Sequence, residues 1–377
     1  MRSLQRSHSR ASLKWLRAVL IGTFAALGVS AAGSPAAAEQ KPLQKVKIAV
    51  GTPAMNLTYP WVEMPLALNY WRDEGYDVDV FAGGSSLQAI QVMAAGKVDF
   101  AEVNSAPLIQ AAVSNGIPIR DVMVNTVLDW SVVVPESSAI KDIKDLKGKN
   151  VGVSSLGSGA VGLMQSYLTA SGVDPLSVTL IAVGAGPVAL EALRADRVQG
   201  LMFWGSANAS FEVMGAKFRY FFDPRWRKYP DYSMSTLQST IKKDPKMVEA
   251  IVRGAAKASL FAITNPDCVR KLQWARFPDT KPTGDTEAKL EYADLHRLNA
   301  QLLSLKEAFA LGGGKLWGRV TPAQFSTLED FLVATKLIDH KLANPADLIV
   351  DIPGFWSEVN RFDHAAVVAQ AKACQMS

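Results

Sequence analysis

The sequence predicts an α/β chain folded as two similar lobes, each a mainly parallel sheet flanked by helices. Three observations carry this. Strands alternate with helices along the chain, one segment repeats at a spacing of 100, and 377 residues exceed what a single ordinary core accommodates. The repeat aligns GSSLQAIQVMAAGKVDFAEVNSA (84–106) with GAGPVALEALRADRVQGLMFWGS (184–206) without gaps. Each copy opens on glycine, continues as a helix with apolar positions at i, i+3 and i+4, and turns at a Lys or Arg. Each then ends in a short buried strand capped by small polar residues. Upstream, KVKIAVGTP (45–53) and GKNVGVSSLG (148–157) both read as strand, Gly/Ser/Thr turn and helix start.

The first 38 residues stand apart from this pattern. Arg2, Arg6, Arg10, Lys14 and Arg17 precede an apolar stretch, AVLIGTFAALGV (18–29), and Ala36-Ala37-Ala38 stands before Glu39. That is the layout of a secretory signal peptide over 1–38, cleaved near Ala38. Twelve apolar residues are too few to span a bilayer, and no cysteine at the cleavage point offers a lipid anchor. Cleavage removes five basic and no acidic residues, leaving 35 of each sign over about 339 residues. An even balance points away from nucleic acid and from anionic membrane surfaces as partners.

In the first lobe, strands are expected before Gly51, before Gly83 and at DFAEV (99–103). In the second they are expected at Val151 to Ser154, at VTLIAV (178–183) and at GLMF (200–203), with a helix over Val161 to Leu168 between the first two. From about 240 onward the chain reads as mostly helical. DPKMVEAIVRGAAKASLFAITNP (244–266) and TPAQFSTLEDFLVATKLI (321–338) are amphipathic with plausible caps. Parallel sheets with right-handed crossovers bind ligands beyond the C-terminal ends of their strands. Two facing lobes therefore set two rows of loops around one cleft: 51–59, 83–87, 104–107 and 126–131 from the first, 154–160, 184–187 and 203–208 from the second.

These loops carry hydroxyls, amides and aromatic rings. Between Gly51 and Tyr59, and throughout the second-lobe loops, there is no Lys, Arg, His or Cys, and His296, His340 and His364 all lie in the C-terminal third. A nucleophile needs a base within hydrogen-bond reach and a hydrolytic metal needs several His or carboxylate ligands. Neither set is present in the loops, so no catalytic residue and no metal is expected. Asp129 and Glu102, the nearest carboxylates, read as solvated or capping residues. Gly157, Gly159 and Gly162 do fall in the G-x-G-x-x-G order of a dinucleotide-binding loop between strand and helix. The fingerprint fails at its next element, because VTLIAV runs into Gly184-Ala185-Gly186 with no acidic residue for a ribose. No cofactor is expected; what remains is a helix N-terminus with free backbone N–H groups. Cys268 and Cys374, the chain's two cysteines, are as consistent with a disulfide as with separate burial.

With these residues in view, the chain resembles the substrate-binding proteins of ABC importers, in the nitrate/sulfonate/taurine-type branch with its pyrimidine-precursor, NMT1/THI5-like relatives. KVKIAVG, LQAIQVMAAGKVDFAEVNSAPLI (87–109), IKDIKDLKGKNVGVSSLGSGA (140–160) and LEALRADRVQGLMFW (190–204) carry the resemblance, which covers most of 45–265. It implies the type II periplasmic-binding-protein fold, with chain crossovers near 128–134 and 222–236. Residues 39–128 plus 236–377 would form lobe I with the C-terminal helices, and 134–222 lobe II. It implies a monomeric protein of the periplasm that closes on a small molecule and docks on a membrane permease with its ATPase. Carried over residue by residue, it implies ligand contact by Thr52, Met55, Ser85, Asn104, Ser105, Ser155, Ser158 and Trp204. Gly159 beside Ser158 permits close backbone approach, and Tyr59 and Trp130 add surfaces for a flat ligand. The expected ligand is a small organic anion, a sulfonate or an aromatic carboxylate. It would be held by helix N-termini and hydroxyls unless Arg225 or Arg227 reaches in, since no cleft loop supplies a clamping Arg. A ligand sensor would present the same cleft. A pyrimidine-precursor-synthesising enzyme of similar fold would carry a cysteine-rich motif, which this sequence lacks.

Overall fold

A computed structural model describes residues 42–281 and 283–374; the expected signal peptide and its cleavage site lie outside these residues. The chain runs β1 (Gln44–Val50), α1 (Pro60–Ala67), β2 (Tyr76–Ala82), α2 (Ser86–Ala94), β3 (Phe100–Val103), α3 (Ser105–Asn115) and β4 (Ile119–Val127). It crosses into β5 (Ser131–Pro135), β6 (Asn150–Val153), α4 (Gly159–Ala170), β7 (Thr179–Ala182), α5 (Pro187–Arg194), β8 (Gly200–Phe203), α6 (Gly205–Val213) and β9 (Phe218–Phe221). It returns as β10 (Pro230–Leu237) and ends in helices α7 (Gln238–Lys243), α8 (Pro245–Thr264), α9 (Pro266–Arg276), α10 (Glu287–Leu311), α11 (Pro322–Ala334), α12 (Phe355–Val359) and α13 (His364–Ala373).

The strands form two five-stranded sheets of matching plan, in the orders β2-β1-β3-β10-β4 and β7-β6-β8-β5-β9. In each, the first strand of a helix-linked trio pairs in parallel with the other two: β1 with β2 and β3, β6 with β7 and β8. In each, the strand that has crossed from the other lobe inserts antiparallel: β10 between β3 and β4, β5 between β8 and β9. The repeat read from the sequence is thus α2–β3 set against α5–β8. The crossovers are shorter than the expected segments. β5 begins at Ser131 and β10 at Pro230, because both crossing segments pair as soon as they reach their sheet.

Burial follows the layers. β3 and β8, central and covered on both faces, are buried at every position, whereas β2 at an edge is only partly covered. Helix ends obey local chemistry. Asp244 caps α8 through the Met247 amide, and Thr321 with Gln324 forms a capping box on α11. Asn265 closes α8 and caps α9 through the Cys268 amide, with Pro266 preventing one continuous helix.

One apolar core lies on the face of the first sheet packed by α1, α8 and α9, with Trp61, Trp71 and Phe261 fully buried. A second runs through α2 and α3, across β4 and β5, to α4 and α11, so it joins both lobes; a third, smaller one sits under α5 and α6. Cys268 and Cys374 form a disulfide with their Cα atoms 5.4 Å apart, tying α9 to the end of α13. It closes a loop of 106 residues, for which the chain-entropy account gives about 4–5 kcal/mol.

Two C-terminal helices reach the second lobe. From α10, Gln301 accepts from the buried Ser206 hydroxyl on α6 at 2.8 Å, and His296 lies 2.9 Å from Glu212. Just past α11, Thr335 donates to the Ser166 hydroxyl of α4 at 2.8 Å.

Candidate functional site

The C-terminal ends of the strands of both sheets face one another across a narrow cavity of about 30 Å³. The first lobe contributes Gly51, Pro53 and Tyr59 after β1, Asn104 after β3, and Thr126, Asp129 and Trp130 around the end of β4. The second contributes Ser154 and Ser158 before α4 and Trp204 before α6. Asp231 and Tyr232 enter from β10, and Gln301 from α10.

Asp231 organises the polar wall. One carboxylate oxygen accepts from the Asn104 amide and the Trp130 indole N–H, both at 3.0 Å; the other accepts from the Ser105 backbone N–H at 2.9 Å. This places a carboxylate on the N-terminus of α3, a position the helix dipole favours and one that Asn104 leaves unfilled. Asn104 is committed elsewhere: its side-chain oxygen accepts from the Ser86 hydroxyl at 3.0 Å, while its own N–H donates to that hydroxyl oxygen at 3.1 Å. Burial pushes Asp231 above the ordinary carboxylate range, and the donated hydrogen bonds, first those of the Ser105 and Tyr232 amides, hold it back. Tyr232 itself adopts a φ of +34°, which bulky side chains rarely take and which costs about 1–3 kcal/mol.

Glu102 is not the solvated or capping residue expected; Asp129 does take the Gly205 N–H at the start of α6, but it also faces the cavity. Glu102 is fully buried beneath the cavity, accepting from the Asn125 amide at 2.8 Å, and burial pushes its carboxyl well up. Asp129 lines the cavity; burial pushes it up to about 7, with nearby Arg227 opposing and Asp231 assisting. In both cases the surroundings come from distant segments: Glu102 sits in the four-residue β3, and Asp129 in the link between β4 and β5. Burial likewise pushes the Tyr59 phenol up to about 12, so it stays a neutral hydroxyl.

Of the residues expected to touch ligand, Tyr59, Asn104, Trp130, Ser158 and Trp204 line the cavity. Trp130 and Trp204 have ring centroids 5.4 Å apart at 59°. The remaining six do not line it. The Thr52 hydroxyl donates to the Ala54 carbonyl at 3.1 Å, and Met55 packs on the apolar core under α1. Ser85 caps α2 through the Gln88 amide, and the Ser105 hydroxyl lies 3.4 Å from that of Ser233. The Ser155 hydroxyl is buried without a partner. Gly159 has a different task, shared with its neighbours in the glycine pattern. A Cβ on Gly157 would sit 2.7 Å from the Ser85 hydroxyl, on Gly159 2.9 Å from the Asn104 side chain, and on Gly162 2.7 Å from Leu337. The spacing that imitates a dinucleotide loop is thus the contact of α4 with first-lobe and C-terminal residues, sealed by the Leu87 N–H donating to the Gly157 carbonyl at 3.2 Å.

Arg225 and Arg227 do not enter the cavity. Arg225 pairs with Asp223 and Arg227 with Glu307, the latter at 2.8 Å. Among the described residues no Lys, Arg or His lines it, whereas two carboxylates do. Among the described residues no group of three or more His, Cys, Asp or Glu is placed to hold a metal ion, and no helix is long and apolar enough to cross a membrane. Asp231, Tyr232 and Gln301 escaped the sequence reading. The first two fell in the segment taken for a crossover, and Gln301 arrives from a helix with no local signal of function.

The sequence profile described as NMT1/THI5 like matches residues 65–268. No curated protein sequence matches the chain. Among solved structures, a Bordetella bronchiseptica protein is similar over 84% of this chain and 96% of its own, at 19% identity and a TM-score of 0.65. A putative sulfonate ABC transporter protein from Methylobacillus flagellatus, the periplasmic sulfonate-binding protein SsuA, is similar over 84% and 94%, at 18% identity and a TM-score of 0.56. The desulfurization enzyme DszB shares the fold over 84% and 99%, at 14% identity and a TM-score of 0.54.

Proposed function

The chain belongs to the NMT1/THI5-like family, and from that premise we propose that it is an exported solute-binding protein. It captures a small molecule between its lobes in the periplasm and delivers it to the permease and ATPase of an ABC importer. The observation that carries this reading is the cavity itself: aromatic rings, hydroxyls and amides from both lobes converge on one point at the strand ends, where α/β sheets bind ligands.

The volume supports a hinge. About 30 Å³ accommodates roughly two water molecules, so a solute enters only when the lobes part. Residues 128–130 and 222–229 are the natural hinge segments, since they alone join one sheet to the other along the chain. On this reading lobe I comprises 39–128 with 236–377, gaining β10 from Pro230, and lobe II comprises 134–222, gaining the start of β5. The helices α10 and α11 bridge the lobes when closed.

The lining is that of a binder rather than a catalyst. Among the described residues it holds no Lys, His or Cys, and both cysteines are tied in the disulfide, so these residues offer covalent catalysis no thiol or amine there. The likeness to DszB is a likeness of fold. For the expected organic anion, SsuA lends support by its name, and the cavity would offer hydroxyls and the backbone N–H groups at the start of α4.

The test is thermal denaturation of the protein, stripped of ligand by unfolding and refolding, against sulfonates, nitrate, aromatic carboxylates, pyrimidines, amines and amino acids. A ligand at a hundred times its Kd adds about 2.7 kcal/mol, a rise of several degrees in Tm for a chain of this size. Recovery of the compound unchanged is expected; its conversion would return the enzyme to consideration.

A further inference from the structure

The electrostatics of the cavity run against an anion. Its charged side chains are two carboxylates, Asp129 and Asp231, and the cations nearest in sequence are engaged outside it with Asp223 and Glu307. Four aromatic rings complete the lining. Tyr59 and Tyr232 have centroids 5.8 Å apart, and Trp130 and Trp204 5.4 Å apart. Rings in this number beside carboxylates are what a positively charged nitrogen requires: the negative faces of the rings attract it, and a carboxylate neutralises it where water is excluded.

We propose that the solute bound between the lobes is a small organic cation, an ammonium or amidinium, whose charge is met by Asp129 and whose body is enclosed by Trp130, Trp204, Tyr59 and Tyr232. This rests on the solute-binding reading and specifies its ligand. The two carboxylates divide the work. Asp231 is saturated by the Asn104, Trp130 and Ser105 donors, so it contributes field and fixes the Trp130 ring. Asp129 takes the Gly205 N–H at the start of α6, while the Ser304 hydroxyl of α10 donates to the Val127 carbonyl at 3.1 Å, so Asp129 keeps acceptor capacity toward the cavity. Its charged surroundings are Arg227 and Asp231.

The assignment predicts a sign. A permanent cation binds the ionised Asp129, so its affinity rises with pH through about 7, the range to which burial has moved this group. An anion in the same place would bind more tightly as Asp129 takes up a proton, so its affinity would fall over the same range.

Isothermal titration of the ligand-stripped protein at pH 5.5 and 8.5 decides between them, with choline, tetramethylammonium and benzamidinium as cations and methanesulfonate and benzoate as anions. The expected result is binding of at least one cation, tenfold or more tighter at pH 8.5, with Asp129→Asn removing both the gain and its pH dependence. Should that variant not fold, the pH dependence of the unaltered protein still decides. Binding of an anion alone, tighter at pH 5.5, would overturn the cation and leave the solute-binding reading standing. Binding of neither class would overturn the cation as well, the solute-binding reading then resting on the wider thermal panel.

Discussion

Trp204 shows how a single residue acquires its task from position. It follows β8 in the slot that Asn104 occupies after β3, so the repeat places an indole opposite an amide across the cavity. Its neighbour Trp130 is held by the 3.0 Å hydrogen bond to Asp231, which makes the pair of rings a fixed wall. Trp204→Ala removes one ring of the enclosure and is expected to weaken binding tenfold or more, as read by titration, with little change in Tm because the ring is only partly buried. An unchanged Kd would remove Trp204 from the site. Asp121 illustrates the opposite case, a carboxyl buried in β4 away from the cavity and pushed up to about 8 by burial. Between its ordinary value near 4 and about 8, the folded chain retains a proton that the unfolded chain releases, so stability falls as pH rises through that window. Glu63, pushed up to about 9 by burial, acts in the same direction. Asp121→Asn is therefore expected to raise Tm at pH 8 more than at pH 5; an equal change at both would show that the group does not titrate there.

Among the elements, α4 is the one whose sequence and position are most tightly linked. Gly157 just before it and Gly159 and Gly162 within it let the helix start press against Ser85, Asn104 and Leu337, so they set how closely the lobes approach. Gly159→Val would thrust a branched side chain into Asn104, from which a Cβ alone would be 2.9 Å. The expected outcome is ligand affinity lowered tenfold or more, because closure is blocked while each lobe's own core is untouched. Retained affinity would mean the contact is not needed for binding. The elements themselves were largely legible. α8 and α11 lie within the spans their amphipathic spacing indicates, and α4 extends the expected helix by two residues at each end. What local pattern could not supply was pairing. β10 inserts between β3 and β4, more than a hundred residues away in sequence, and carries Asp231 and Tyr232 to the cavity from a stretch that reads as a connector. Gln301 has the same history: nothing near it in α10 distinguishes it, and only packing on α6 makes it part of the site.

For the whole molecule, the duplication was visible because two α/β units in the same order leave a trace in residue spacing, and the two sheets share one strand plan. The net charge, by contrast, speaks only of large charged partners and not of the ligand. A balanced surface says nothing of a cavity in which Asp129 and Asp231 face inward while Arg225 and Arg227 are turned to Asp223 and Glu307. The cysteine pairing was equally out of reach, since it depends on α13 folding back beside α9. The central claim is that a solute is held between the two lobes. Hydrogen–deuterium exchange, with and without a compound found by thermal denaturation, tests it most directly. Binding is expected to protect amides in both lobes at once: after β3 around Asn104–Ser105, before β5 around Trp130, and at the start of α4. Protection confined to one lobe would contradict it.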